Sequence, residues 1–367
     1  MKRKVGILTY HFALNYGAVL QCYALYKALC KQGHDVSVIN LVTYKQEENN
    51  LRIKKTKGIK NVILQIMLFP FLKDRIQKKE KFQDFIKQNI NCTVRYTEDN
   101  FQKNVSESNY DVIIVGSDQV WNPHIADFTD KFFLPGEYKA RKVGYAISIG
   151  TTKKEDILPY KQCIQDFSDV GLREQSAIKT IDTLYGNELV EVLDPTFLLE
   201  ESEWHEMTHT YNQRQPYMVC YFLKKENFKR YYRIAKEIAN NKKIRIIYIN
   251  QRYSWRSFYP NTLCDVGPQE FVSLIRNANY VCTDSFHGTV FSIIFRKNFS
   301  TIVDSYNSLD RRKQDILSKL GLIERCIILD EYTTYSDSEI NYEVINKKIT
   351  LLREESLNFL KNVMSYE

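Results

Sequence analysis

No run of roughly 18 to 20 apolar residues occurs in the 367-residue chain, so no segment is expected to cross a membrane as a helix. Nor is there a Cys-x-x-Cys pair. The eight cysteines (Cys22, Cys30, Cys92, Cys163, Cys220, Cys264, Cys282 and Cys326) stand singly, most of them in apolar runs such as Val281-Cys282. They read as reduced core residues rather than metal ligands or a disulfide framework. A dinucleotide fingerprint, a Walker A loop, HExxH, a GxSxG elbow and the kinase motif set are all missing. So is the Asp-x-Asp of many metal-dependent sugar-nucleotide transferases, and no metal or resident cofactor is expected. Met1-Lys2-Arg3-Lys4 is followed only by Val5 to Leu8 as an apolar run. That is too short for a signal-peptide core, and a cytoplasmic location is expected.

What is present is a soluble globular composition, 44% hydrophobic and 26% charged, in a chain too long for one ordinary core. Two domains are expected, residues 1–205 and 206–367, the second carrying a terminal helix. The net charge of +8 suits anionic partners: small phosphorylated ligands or an acidic lipid surface. Nucleic acid is not expected, because no basic element carries a recognisable binding motif.

Val5 to Tyr10 reads as a buried parallel strand, His11 to Gly17 as a turn, and Val19 to Cys30 as an amphipathic helix. Val36 to Ile39 follows as the next strand, which makes a βαβ unit. Strands are predicted again at Val112–Val115, Val143–Ser148 and Leu189–Leu193, and in the second half at Tyr217–Leu223, Ile244–Ile249, Tyr280–Thr283 and Ser300–Val303. Helices are predicted over Phe228–Ile238, Thr289–Arg296 and Ile345–Val363. The pattern is α/β, two Rossmann-like domains facing a cleft. One segment stands apart. Asn61 to Leu72 is apolar and lies within a basic stretch, residues 52–81. It reads as a core or interdomain helix, or as a surface for peripheral membrane contact.

In open α/β sheets ligands gather at the carboxyl ends of strands, and unusual polar residues fall at four such places. His287 lies between an apolar strand and an apolar helix. A helix N-terminus disfavours the imidazolium there while a bound anion favours it, which suits a general acid. Arg173 offers a planar cation for a carboxylate or phosphate, or a salt bridge to a neighbour such as Glu174. Asp118, after Gly116-Ser117, reads as a sugar ligand or base, or as a cap. Asn15 is placed to cap the first helix and Gly17 to allow a backbone approach to a ligand, while Arg311-Arg312-Lys313 is a basic run at a helix start, a solvated face or a source of one cation for the cleft.

Taken in order, these motifs resemble the polysaccharide pyruvyl transferase family. The resemblance rests on Asn15-Tyr16-Gly17-Ala18 with Leu20-Gln21, Gly116-Ser117-Asp118-Gln119 with Trp121, and Ser148 with Gly150. Arg173-Glu174, Asp194-Pro195 and Asp284-Ser285-Phe286-His287-Gly288 complete it, and the match runs from about Val5 to Leu322. It implies a GT-B-like fold, phosphoenolpyruvate as donor, a saccharide acceptor that is often lipid-linked, and a cyclic pyruvate ketal as product. By that resemblance His287 and Arg173 fall on positions associated with catalysis and donor binding, and Asp118 is expected beside His287 as a catalytic residue, for base work or acceptor binding. Arg173, Ser285, Gly288 and Arg311 would bind the donor, and Asn15, Tyr16, Gly17 and Gln119 the acceptor. Some members carry a basic residue where this chain has Ser285, so a second donor cation is expected from Arg311 or Arg312. The competing readings are a GT-B glycosyltransferase using a nucleotide sugar and a non-catalytic polysaccharide-binding protein.

Overall fold

A computed structural model describes residues 1–45, 66–208, 215–251, 254–305, 310–331 and 333–366. Two six-stranded sheets, wholly parallel, carry the fold. The first contains β1 (Lys4–Leu8), β2 (Asp35–Val38), β3 (Val112–Val115), β4 (Arg141–Ile147), β5 (Asp169–Leu172) and β6 (Leu189–Glu191), in the order β2-β1-β3-β4-β5-β6. The second contains β7 (Tyr217–Tyr221), β8 (Arg245–Ile249), β9 (Thr262–Leu263), β10 (Tyr280–Thr283), β11 (Asn298–Val303) and β12 (Cys326–Ile328), in the order β12-β11-β10-β7-β8-β9. Strands such as Val112–Val115 and Tyr217–Tyr221 are buried along their whole length, as a parallel sheet covered on both faces requires.

Each order reverses direction once, between β1 and β3 in the first sheet and between β7 and β10 in the second. A crevice opens at the carboxyl ends of strands at such a point. The two crevices face each other, because residues that follow β1, β3, β7 and β10 line one common cleft.

The principal helices of the interface are α1 (Tyr16–Lys31), α2 (Leu72–Asn89), α3 (Pro268–Asn277), α4 (Phe286–Ile294), α5 (Arg312–Leu320) and α6 (Tyr342–Met364). Asn15 caps α1 through its side chain, which accepts from the Gly17 N–H at 3.0 Å. Tyr16 then crosses to the other domain, where its ring stacks on Phe271 at 4.3 Å and its hydroxyl donates to the Val266 carbonyl at 2.9 Å. Helix α2 braces the same junction. Lys78 donates to the carbonyls of Asn250 and Gln251, and Lys81 pairs with Asp265 and Glu270. One apolar cluster runs from Val5 and Leu20 through Trp204 to Val281 and Leu317, so both domains share a core.

The terminal helix returns to the first domain. Ser356 on α6 accepts from the Leu193 N–H at 2.9 Å, and Arg353 donates to the Phe197 carbonyl at 2.6 Å. Beyond it the guanidinium carbons of Arg3 and Arg141 lie 4.3 and 4.7 Å from the centre of the Tyr366 ring. Of the basic and apolar segment 52–81, residues 52–65 lie outside the described residues, and Ile66, Met67 and Phe69 are exposed. Among the described residues no helix is long and apolar enough to cross a membrane.

Candidate functional site

The cleft between the two sheets encloses about 230 Å³. Tyr10, Asn15, Asp118, Gln119 and Asp127 line it from the first domain, and Lys224, Asp284 to His287, Asp304, Arg312 and Lys313 from the second.

His287 stands in the first turn of α4, whose onset falls at Phe286 rather than at the Thr289 suggested by the apolar run. The cause is Ser285. Its backbone is extended and its hydroxyl accepts from the Gly288 N–H at 3.3 Å, which caps the helix three residues early. That cap leaves the N–H groups of Phe286 and His287 at the mouth of the helix, where an anion is favoured. Gly288 abuts Thr283, where a Cβ would meet the hydroxyl at 2.6 Å. Its role is therefore close packing of α4 on β10.

The imidazole is held from two sides. Its Nε2 lies 3.4 Å from the Asp194 carboxylate. Its other edge rests on Gly17, where a Cβ would come within 2.0 Å of Nδ1. Asp194 follows β6 and is 2% exposed. It caps the turn Pro195–Phe197, its Oδ1 accepting from the Thr196 N–H and hydroxyl, while Oδ2 takes the Arg173 guanidinium. Burial pushes the Asp194 carboxyl up, but His287 and Arg173 outweigh it and hold the group well below the usual carboxylate range.

Arg173 and Arg312 flank one aromatic ring, their guanidinium carbons 4.9 and 5.7 Å from the centre of Phe286. Arg173 lies deeper, with a side chain 2% exposed. Its other contacts are Asp118 at 3.5 Å and Glu174 at 3.9 Å. Glu174 is itself held by the Ser148 hydroxyl at 2.7 Å and the Ile149 N–H at 3.2 Å. Arg312 lines the cleft, forks onto Asp310 at 2.7 and 2.8 Å, and comes within 4.0 Å of Asp118. Gln119, its amide oxygen turned toward Arg312, accepts from it at 2.9 Å. Arg311 instead pairs with Asp315 one turn along α5, at 3.7 Å, so of the two arginines Arg312 holds the cleft position.

The structure thus brings His287, Asp118, Ser285, Asn15 and Gln119 to one cleft, with Gly17 beneath the imidazole. It places Tyr16 in the interdomain core, and Arg173 under Asp194 and Phe286. Sequence reasoning singled out neither Lys224 nor Tyr10. Lys224 follows β7, is half exposed and pairs with Asp304 at 2.5 Å. It sits at the carboxyl end of a strand beside the switch point, and that position was its only signal.

The Arg173 ion pair gives a stability test. With Arg173→Met the buried Asp194 loses its permanently charged partner and keeps the His287 ring at 3.4 Å, and the expected loss is about 3–5 kcal/mol in urea unfolding. The folded carboxyl is depressed, so its contribution is present above the ordinary carboxylate range and is lost as pH falls through the depressed value. The wild type should therefore lose more stability on acidification below about pH 4 than the variant does.

Comparison with known proteins agrees with the architecture. A UDP-GlcNAc 2-epimerase from Methanocaldococcus jannaschii aligns over 100% of both chains with a TM-score of 0.52 at 13% identity. A putative UDP-N-acetylglucosamine 2-epimerase from Listeria monocytogenes aligns over 97% of this chain and 90% of its own, with a TM-score of 0.52 at 11% identity. At such identities the likeness shows the two-domain, GT-B-like fold alone. Among curated proteins none matches the chain in sequence. The family profile of polysaccharide pyruvyl transferases, by contrast, matches residues 15–306, from the Asn15 cap past the His287 turn, and the chain belongs to that family.

Proposed function

We propose that the protein transfers the pyruvyl group of phosphoenolpyruvate onto two hydroxyls of one sugar in a surface polysaccharide precursor, forming a cyclic ketal and releasing phosphate. One observation supports this above the rest. A histidine in the first turn of a helix faces an interdomain cleft, with a buried aspartate behind it and cations on the same wall. A donor bearing a carboxylate and a phosphate calls for such a wall of helix N–H groups and fixed cations.

In this reading Asp194 orients the His287 ring, and Arg173 keeps Asp194 ionised and in place. Both are positioning residues. His287 delivers a proton to the methylene carbon of the donor, and the adjacent carbon becomes electrophilic. A sugar hydroxyl attacks that carbon and gives up its proton to Asp118 or to the neutral His287. The bond from that carbon to the phosphate oxygen then breaks. A second hydroxyl of the same sugar closes the ring, and its proton leaves with the phosphate. Lys224, Arg312 and the N–H groups of Phe286 and His287 hold the donor anion. Lys313 contributes less, since its ammonium is committed to the carbonyls of Asp284 and Ile302.

Calorimetric titration with phosphoenolpyruvate checks the donor. Wild-type protein should bind it, and Arg312→Met should weaken binding by about tenfold to a hundredfold, the loss of one charge-assisted contact. Absence of binding to the wild type, with a heat signal from a nucleotide sugar instead, would move the function to glycosyl transfer.

A further inference from the structure

The two walls of the cleft differ in chemistry. The second domain supplies the lining cations, Lys224, Arg312 and Lys313, together with three carboxylates, Asp284, Asp304 and Asp310, of which Asp304 pairs with Lys224 and Asp310 with Arg312. The first domain supplies two carboxylates, Asp118 and Asp127, and the phenol of Tyr10. Tyr10 is 6% exposed and its ring packs on Phe132 at 4.7 Å, yet among the described residues its hydroxyl has no hydrogen-bond partner. Buried hydroxyls are nearly always paired, so an unpaired one at the edge of a ligand cleft points to a partner that arrives with the ligand. Burial, followed by the charges of Asp118 and Asp127, pushes the phenol far above its ordinary value, so it remains a proton donor at any working pH.

We propose that Tyr10, together with the Asp118 and Asp127 carboxylates, forms the subsite for the sugar acceptor, a neutral pyranose that presents a pair of hydroxyls. The inference rests on the pyruvyl-transfer reading for the word acceptor, and on the cleft alone for the sugar. A carboxylate can only accept a hydrogen bond and the Tyr10 hydroxyl is free to donate one, whereas a sugar hydroxyl does both. One hydroxyl can therefore accept from Tyr10 and donate to a carboxylate. A phosphate or carboxylate placed on this wall would meet two carboxylates and no lining cation, whereas the opposite wall sets Lys224, Arg312 and Lys313 among its carboxylates, which favours the donor there. The two substrates are thereby sorted by charge, and the reacting atoms meet between Asp118 and His287.

The test uses the full-length chain, its Tyr10→Phe and Asp127→Asn variants, and methyl β-D-galactopyranoside and methyl β-D-glucopyranoside as probes. Sugar binding is read by saturation-transfer NMR, with and without phosphoenolpyruvate, and donor binding separately by calorimetry. Tyr10→Phe should weaken the better-binding glycoside about tenfold, the worth of one hydrogen bond of this kind. It should leave donor affinity unchanged. Because the lost hydroxyl is unpaired among the described residues, the melting temperature should hold or rise. The proposal is overturned by equal glycoside affinity in wild type and Tyr10→Phe, by failure of both glycosides to bind the wild type, or by a loss confined to the donor. Glycoside binding that depends on Tyr10, in a protein indifferent to phosphoenolpyruvate, would keep the sugar subsite and sink the donor assignment instead.

Discussion

His287→Ala is expected to lower ketal formation by about 10²- to 10⁴-fold, the usual worth of a positioned general acid. The donor should still bind, because the cations and the remaining helix N–H groups stay in place. Steady-state assays on the purified variant should show the loss mainly in kcat, with a much smaller change in the KM for phosphoenolpyruvate. Ketal formation at near-normal rate would remove His287 from the chemistry. A structural role alone would instead lower the melting temperature in proportion to the activity. The ring is 7% exposed and contacts both domains, so some destabilisation is expected as well, and calorimetric scans on the same preparation separate the two effects.

The second large effect is expected at Gly17. A methyl group there would lie 2.0 Å from His287 Nδ1 and 2.6 Å from Cε1, far inside contact distance. Neither side yields readily. The start of α1 is fixed by the Asn15 cap and by the burial of Tyr16, and the far edge of the ring faces Asp194. Gly17→Ala should therefore displace the imidazole by about an ångström, at a cost on the order of a hundredfold in rate. Overpacking at the domain junction adds about 1–3 kcal/mol of destabilisation. A double variant gives the check. With His287→Ala already present the added methyl has room, and Gly17→Ala should then change stability by less than about 0.5 kcal/mol. A full-sized penalty in that background would show that the glycine serves the helix and not the histidine.

Much of this arrangement was legible from local pattern. Apolar runs marked the long strands, and the residues that follow them, Asn15, Asp118 and His287, do line the cleft. Elements with little length to carry a pattern were not read, such as Thr262–Leu263 and Cys326–Ile328. What escaped entirely were relations between distant segments. Nothing near Asp194 announces that its carboxylate meets His287 from one side and Arg173 from the other. Arg173 looked available because a sequence does not reveal burial, and its ion pair to Asp194 appears only when β5 and β6 are laid side by side. Tyr10 was hidden differently. It reads as the last apolar residue of the first strand, and only the place of its unpaired hydroxyl at the cleft sets it apart. The α4 boundary shows the same point on a small scale. A hydroxyl at Ser285 decided where the helix begins, and with it the exposure of the N–H groups beside His287.

The most direct test of pyruvyl transfer is to follow phosphoenolpyruvate labelled with ¹³C at its methylene carbon, in the presence of saccharide acceptors, by NMR with parallel phosphate assay. The account predicts conversion of the vinyl signal into a ketal methyl signal, with one phosphate released per ketal formed and both lost in His287→Ala. Phosphate release without a ketal methyl signal, or no consumption of phosphoenolpyruvate with any acceptor while a nucleotide sugar is turned over, would contradict it.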